Sequence, residues 1–155
     1  MKTINQWLSE YGESHQDETN KFIHWICVPT IFFCIVGLLY GIKLPAQVNP
    51  SLQLNVAMII IILLCIYYAV LSRTIWFGML LFGILCLFLS YLAETYLPIP
   101  LWLTSILLFV LAWIGQFYGH KVEGKKPSFL KDIQFLLIGP MWLMSFIYKK
   151  LGIGF

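Results

Sequence analysis

Polar residues gather at a few points along this chain, and long apolar runs separate them. In Met1–Ser14, Ile4, Trp7, Leu8 and Tyr11 recur at i, i+3, i+4 and i+7, with Lys2, Glu10 and Glu13 polar. That spacing predicts a short amphipathic helix, lying on a membrane surface or covering a bundle. Gly12–Asn20 is polar, and Thr19 or Asp17 can cap the helix that follows. From about Lys21 to Ile42 the chain is almost continuously apolar. About 20 such residues cross a hydrocarbon core of roughly 30 Å, so this is a first span, and Pro29 is expected to kink it. Lys43–Asn55, with Pro45, Asn49 and Pro50, reads as a loop. Val56–Leu71 and Ile75–Tyr96 read as the second and third spans. Only Ser72-Arg73-Thr74 separates them, so they must run antiparallel side by side. Pro98-Ile99-Pro100 ends the third, Leu101–Tyr118 is the fourth, and Gly119–Pro127 reads as a basic loop. Ser128–Tyr148 is a last apolar helix, interrupted at Gly139-Pro140 and closed by Lys149-Lys150. The expected fold is all-α. It is a multi-pass transmembrane helical bundle of about four spans, with an N-terminal amphipathic helix and a C-terminal re-entrant or interfacial helix. Residues 1–155 form one membrane-embedded domain. A fifth crossing by the last helix is the alternative.

Composition agrees with that pattern. Of 155 residues, 60% are hydrophobic and 11% charged, against about 25% charged in soluble domains. So few charges cannot cover a soluble surface of this size, so the partner surface is a lipid bilayer and not nucleic acid. The polar opening, Met1–Asn20, lacks the apolar core of a secretory signal. The net charge of +3 matters less than where the charges fall. With the N-terminus cytoplasmic, four spans put Lys2, Lys21, Arg73, Lys121, Lys125, Lys126 and Lys131 inside and only Lys43 outside. Lys149 and Lys150 join the inner group if the last helix does not cross. Cys27, Cys34, Cys65 and Cys86 all lie in apolar runs without a CxxC pair, and read as packing residues.

The chemistry rests on the only three histidines, His15, His24 and His120. The topology brings His15 and His24 to the entry of the first span and His120 to the exit of the fourth, at one depth on the cytoplasmic side. Neutral imidazoles ligate iron or zinc well, and neighbouring carboxylates or amides orient such rings. Asp17, Asn20, Gln116 and Glu123 are the neighbours placed for that support. Asn20 and His24 share a helical face, as do Gln116, His120 and Glu123. Gly115-x-x-x-Gly119 permits a close approach of the fourth helix to the first. Lys121, Lys125 and Lys126 are candidates to attract a substrate carboxylate, although membrane topology alone also accounts for them. Glu94, deep in an apolar run but at the opposite end, reads as a snorkelling or capping residue. A zinc protease would carry HExxH, which is absent. A di-iron desaturase needs about eight histidines in boxes, more than this chain has. A small transporter, or a non-catalytic metal-binding membrane scaffold, stays open on the residues alone.

Tyr11-Gly-Glu-Ser-His15, followed by Asn20-Lys-x-x-His24-Trp-Ile-x-Val-Pro29, resembles the N-terminal signature of the small membrane 2-hydroxy fatty acid dioxygenases. Trp113-Ile-Gly-Gln-Phe-x-Gly-His120-x-x-Glu123-Gly-Lys-Lys-Pro127 resembles their second signature, and Leu137-Ile-Gly-Pro140-x-Trp142 their third. The resemblance implies an Fe(2+)-dependent enzyme of fatty acid α-oxidation, taking a 2-hydroxy fatty acid and O2 to an acid one carbon shorter. It implies a multi-pass protein of a bacterial inner membrane or the endoplasmic reticulum, with His15, His24 and His120 as catalytic metal ligands. Three imidazoles would leave about three of six iron positions for substrate and dioxygen.

Overall fold

The structure, a computed structural model, describes residues 2–50, 52–124 and 129–155. In chain order its elements are α1 (Ile4–Gly12), α2 (Glu18–Tyr40), β1 (Lys43–Asn49), β2 (Leu52–Asn55), α3 (Val56–Leu71), α4 (Ile75–Tyr96), α5 (Leu101–Glu123) and α6 (Phe129–Lys150).

The starts of α1, α2 and α3 coincide with side chains that take up free N–H groups of a first turn. Thr3 and Gln6 form a reciprocal capping box at α1. Asp17 accepts from Thr19 and Asn20 N–H at α2, and Asn55 accepts from Met58 N–H at α3. One helix, α2, runs through Pro29, whose ring removes a single i→i−4 hydrogen bond. In α1, Ile4 and Tyr11 are buried and Trp7 and Leu8 pack against the same core, so the amphipathic stripe faces the bundle.

Three expectations need correction. Lys43–Asn55 is not a loop: β1 and β2 pair antiparallel, Lys43 opposite Asn55 and Gln47 opposite Gln53. The fold is therefore mainly helical with a small two-stranded sheet, not all-α. Pairing satisfies main-chain groups that helix geometry no longer serves, and Gln53 Nε2 adds a bond to Leu44 O at 2.8 Å. Second, α5 does not stop at Tyr118. It continues through Gly119 and His120 to Glu123, where Gly124 adopts a left-handed φ of 71° that L-residues with a side chain disfavour. Third, Gly139-Pro140 does not interrupt α6, which is one helix.

The central contact is α2 against α5. A Cβ on Gly115 would lie 2.8 Å from Cys27 Sγ, and one on Gly119 would collide with Asn20 Oδ1. The small-x-x-x-small stripe thus does bring the two backbones together. On the other side α3 and α4 pack with Ile61 seated at Gly83. Tyr68 donates to Leu137 O at 2.7 Å. The Tyr148 hydroxyl donates to Thr74 O and accepts from Gly78 N–H, both at 3.0 Å. These bonds hold α6 at the end of the bundle where the α3–α4 turn lies. At the opposite end Lys43 pairs with Glu94 at 2.8 Å and sits 3.8 Å from the centre of the Tyr40 ring. Glu94 is therefore an ion-pair partner at the bundle's far end.

Among the described residues three helices, α2, α4 and α5, are long and apolar enough to cross a membrane. With 16 residues and about 1.5 Å of rise each, α3 reaches about 24 Å. Outward-facing Trp102, Leu107, Leu111, Ile114 and Phe117 leave α5 with an exposed apolar face, the surface a bilayer covers. This is a membrane protein.

Candidate metal centre

Three separate elements deliver the histidines. His15 lies in the turn between α1 and α2, His24 in the second turn of α2, and His120 in the last turn of α5. All three are buried, none more than 9% exposed. One ligating atom from each lies within 4.8 Å of the others. Ring centres stand 4.2 Å apart for His15 and His24, 5.0 Å for His24 and His120, and 5.3 Å for His15 and His120. The sequence places these rings on one face; the structure gathers them around one point.

Two of the rings have their tautomer set by the main chain. His15 Nδ1 is 2.6 Å from Tyr11 O, and His24 Nδ1 is 2.9 Å from Asn20 O. A carbonyl oxygen only accepts, so each Nδ1 carries the proton and each Nε2 keeps its lone pair. Metal-bound histidines are held in this way. The donor set, three neutral imidazoles without thiolate or carboxylate, suits Fe(II) or Zn(II). The arrangement therefore fits a metal ion on chemistry as well as on spacing.

Glu123 locks the assembly. Its carboxylate accepts from Gln16 N–H at 2.9 Å, Asp17 N–H at 2.8 Å and Asn20 Nδ2 at 3.2 Å. The end of the helix bearing His120 is thereby tied to the turn bearing His15. The carboxylate also lies at the N-terminal, positive end of α2, which favours an anion. Asn20 is fully buried and its Nδ2 also donates to Ser14 O at 3.1 Å. The Asp17 carboxylate is occupied in capping α2. Gln116 is half-buried on α5, one turn before His120. Lys121 is exposed beside His120; Lys125 and Lys126 lie outside the described residues.

Two aromatic residues were not legible as part of the site. Tyr11 stacks on His15, ring centres 4.2 Å apart and planes within 4°. Trp142 of α6 stands 5.4 Å from His15 and 5.2 Å from Tyr11. Their sequence signals were indirect: Tyr11 precedes His15 by four residues, and Trp142 closes the third signature.

The sequence model of the 2-hydroxy-palmitic acid dioxygenase Mpo1-like family matches residues 1–151. The 2-hydroxy-palmitic acid dioxygenase MPO1 of Saccharomyces cerevisiae is 29% identical over 151 residues, covering 96% of this chain and 82% of the yeast protein. No solved structure matches the chain. A family match over nearly the whole length, with all three histidines inside it, leads to one conclusion: this chain belongs to the 2-hydroxy-palmitic acid dioxygenase Mpo1-like family.

Proposed function

We propose that this protein is an Fe(II)-dependent dioxygenase that shortens a 2-hydroxy fatty acid by one carbon. The observation that carries the reading is the buried three-histidine cluster at one end of an apolar bundle, in a chain whose yeast relative is named for 2-hydroxy-palmitic acid. The reaction takes one 2-hydroxy acid and one dioxygen to the shortened acid, carbon dioxide and water. That stoichiometry balances without a further reductant. His15, His24 and His120 would hold the iron, which when bound supplies the redox chemistry toward dioxygen.

The chain's own residues do the rest. Tyr11 O and Asn20 O keep two imidazoles oriented with Nε2 available. Tyr11 and Trp142 wall the cluster and keep water from the rings. Exposed Lys121 attracts the substrate carboxylate to this end, with Lys125 and Lys126 placed in sequence to assist. The acyl chain lies along the apolar bundle. We place the histidine end at the cytoplasmic face, because Lys2, Lys21, Arg73, Lys121, Lys149 and Lys150 belong to it while Lys43 is paired with Glu94 at the other. In this reading α3 is a fourth span, and α6 lies at the interface.

The test is reconstitution under anaerobic conditions with Fe(II) or Zn(II), then addition of air and matched acids with and without the 2-hydroxyl. The expected result is a product one carbon shorter only with Fe(II) and the 2-hydroxy acid, since zinc has no redox chemistry. Turnover with zinc alone, or of the unsubstituted acid, refutes the mechanism. Absence of turnover under every condition favours a non-catalytic metal-binding scaffold.

A further inference from the structure

Asn20 contacts the site through more of its atoms than its place beside the ligands requires. Its carbonyl oxygen holds His24 Nδ1 at 2.9 Å. Its Nδ2 donates to Ser14 O and to Glu123 Oε2. Both partners only accept, so the amide cannot be flipped, and Oδ1 must face the other way. That way is α5: a Cβ on Gly119, the residue immediately before His120, would collide with Oδ1. Asn20 is fully buried, and Oδ1 has no hydrogen-bond partner among the described residues.

His120 presents the matching gap. Its Nδ1 is buried and likewise has no partner among the described residues. The two other histidines each donate Nδ1–H to a carbonyl, whereas the Nδ1 of His120, near the end of α5, has no such bond among the described residues. A buried acceptor and a buried ring nitrogen, each without a partner on facing helices, call for one explanation.

We infer that Asn20 is the positioning residue of the whole cluster, its Oδ1 linked to the Nδ1–H of His120 through one buried water. One side chain then orients His120, its own main chain orients His24, and its amide joins the Glu123 lock. Gly119 acquires a second role. Besides close packing, its lack of a Cβ leaves the space in which Oδ1 stands. This inference rests on the metal-site reading above, and not on which acid is the substrate.

The experiment is long-range proton–nitrogen correlation NMR on metal-free protein with 15N-labelled histidine, in detergent. The expected spectrum shows the proton on Nδ1 in all three rings. A His120 with its proton on Nε2 overturns the inference, because the ring would then ligate through Nδ1. Two variants add a metal readout. Asn20→Leu keeps the carbonyl that serves His24, and Gly119→Ala displaces Oδ1 without touching a ligand. Each is expected to lower Co(II) affinity roughly 10–100-fold, the usual effect of losing a partner behind a ligand. Each is expected to shift the His120 tautomer while leaving His15 unchanged. Ser105→Ala, a buried change distant from the histidines, serves as control. Affinity within twofold of wild type together with an unchanged His120 signal overturns the inference. If either variant fails to fold, the wild-type spectrum still decides. A protein with the expected tautomers and bound metal that shortens no acid would refute the proposed reaction and leave this inference standing.

Discussion

Replacing Glu123 with alanine should disable the site without touching a histidine. Three donors end on that one carboxylate, at 2.8, 2.9 and 3.2 Å. A hydrogen bond to a charged group contributes roughly 1.5–3 kcal/mol, with the lower figure apt where water competes. The bond to the Gln16 amide is exposed and adds little, while the two part-buried bonds at about 1.5 kcal/mol each bring the loss to about 3 kcal/mol. The energy is concentrated where α5 meets the α1–α2 turn. His15 and His120 should therefore lose their registry before the bundle unfolds. Metal affinity is expected to fall roughly 10–100-fold. Glu123→Gln keeps one acceptor oxygen but turns an NH2 toward N–H donors, and should fall between alanine and wild type. The assay pairs thermal unfolding in detergent with competition for Co(II) against a chelator. A Glu123→Ala protein with wild-type melting and affinity within twofold would refute the reasoning, since the lock would then be ornamental.

Other outcomes follow from the same geometry. Gly115→Ala gains about 1 kcal/mol of helix propensity but puts a Cβ 2.8 Å from Cys27 Sγ, at an overpacking cost of about 1–3 kcal/mol. It should lower stability, and the added change Cys27→Ala should restore much of it in the same melting assay. Trp142→Ala should destabilise by about 3–5 kcal/mol as a buried aromatic lost to a cavity, whereas Trp142→Phe should keep most of the metal affinity measured by Co(II) competition. Replacing both Lys43 and Glu94 with Met should change stability by no more than about 1 kcal/mol and leave metal binding at its wild-type value, because that partly exposed pair lies at the far end of the bundle.

The long helices were legible because apolar runs of the right length have one economical fold in a bilayer. The three histidines were legible as one face because the number of crossings decides which ends meet. The hairpin was not. Pro45, Asn49 and Pro50 are turn and breaker residues, and β1 is too exposed to show a clear alternation. Gly119 misled for a different reason. A glycine near a helix end reads as a stop, yet here the same lack of a side chain admits Asn20, and the true stop is Gly124. Glu123 looked like one more polar residue on the His120 face. Its partners are more than 100 positions away, and helix periodicity carries no information at that range. Tyr11 falls in an ordinary amphipathic stripe and Trp142 in an apolar run, so only their packing on His15 marks them.

The central claim is that one metal ion is held jointly by His15, His24 and His120. The most direct measurement is anaerobic titration of metal-free protein with Fe(II), in wild type and in the three single histidine-to-alanine variants. The account predicts one tightly bound equivalent per wild-type chain and loss of tight binding in every variant. Two equivalents per chain, or wild-type affinity retained in His120→Ala, would contradict it.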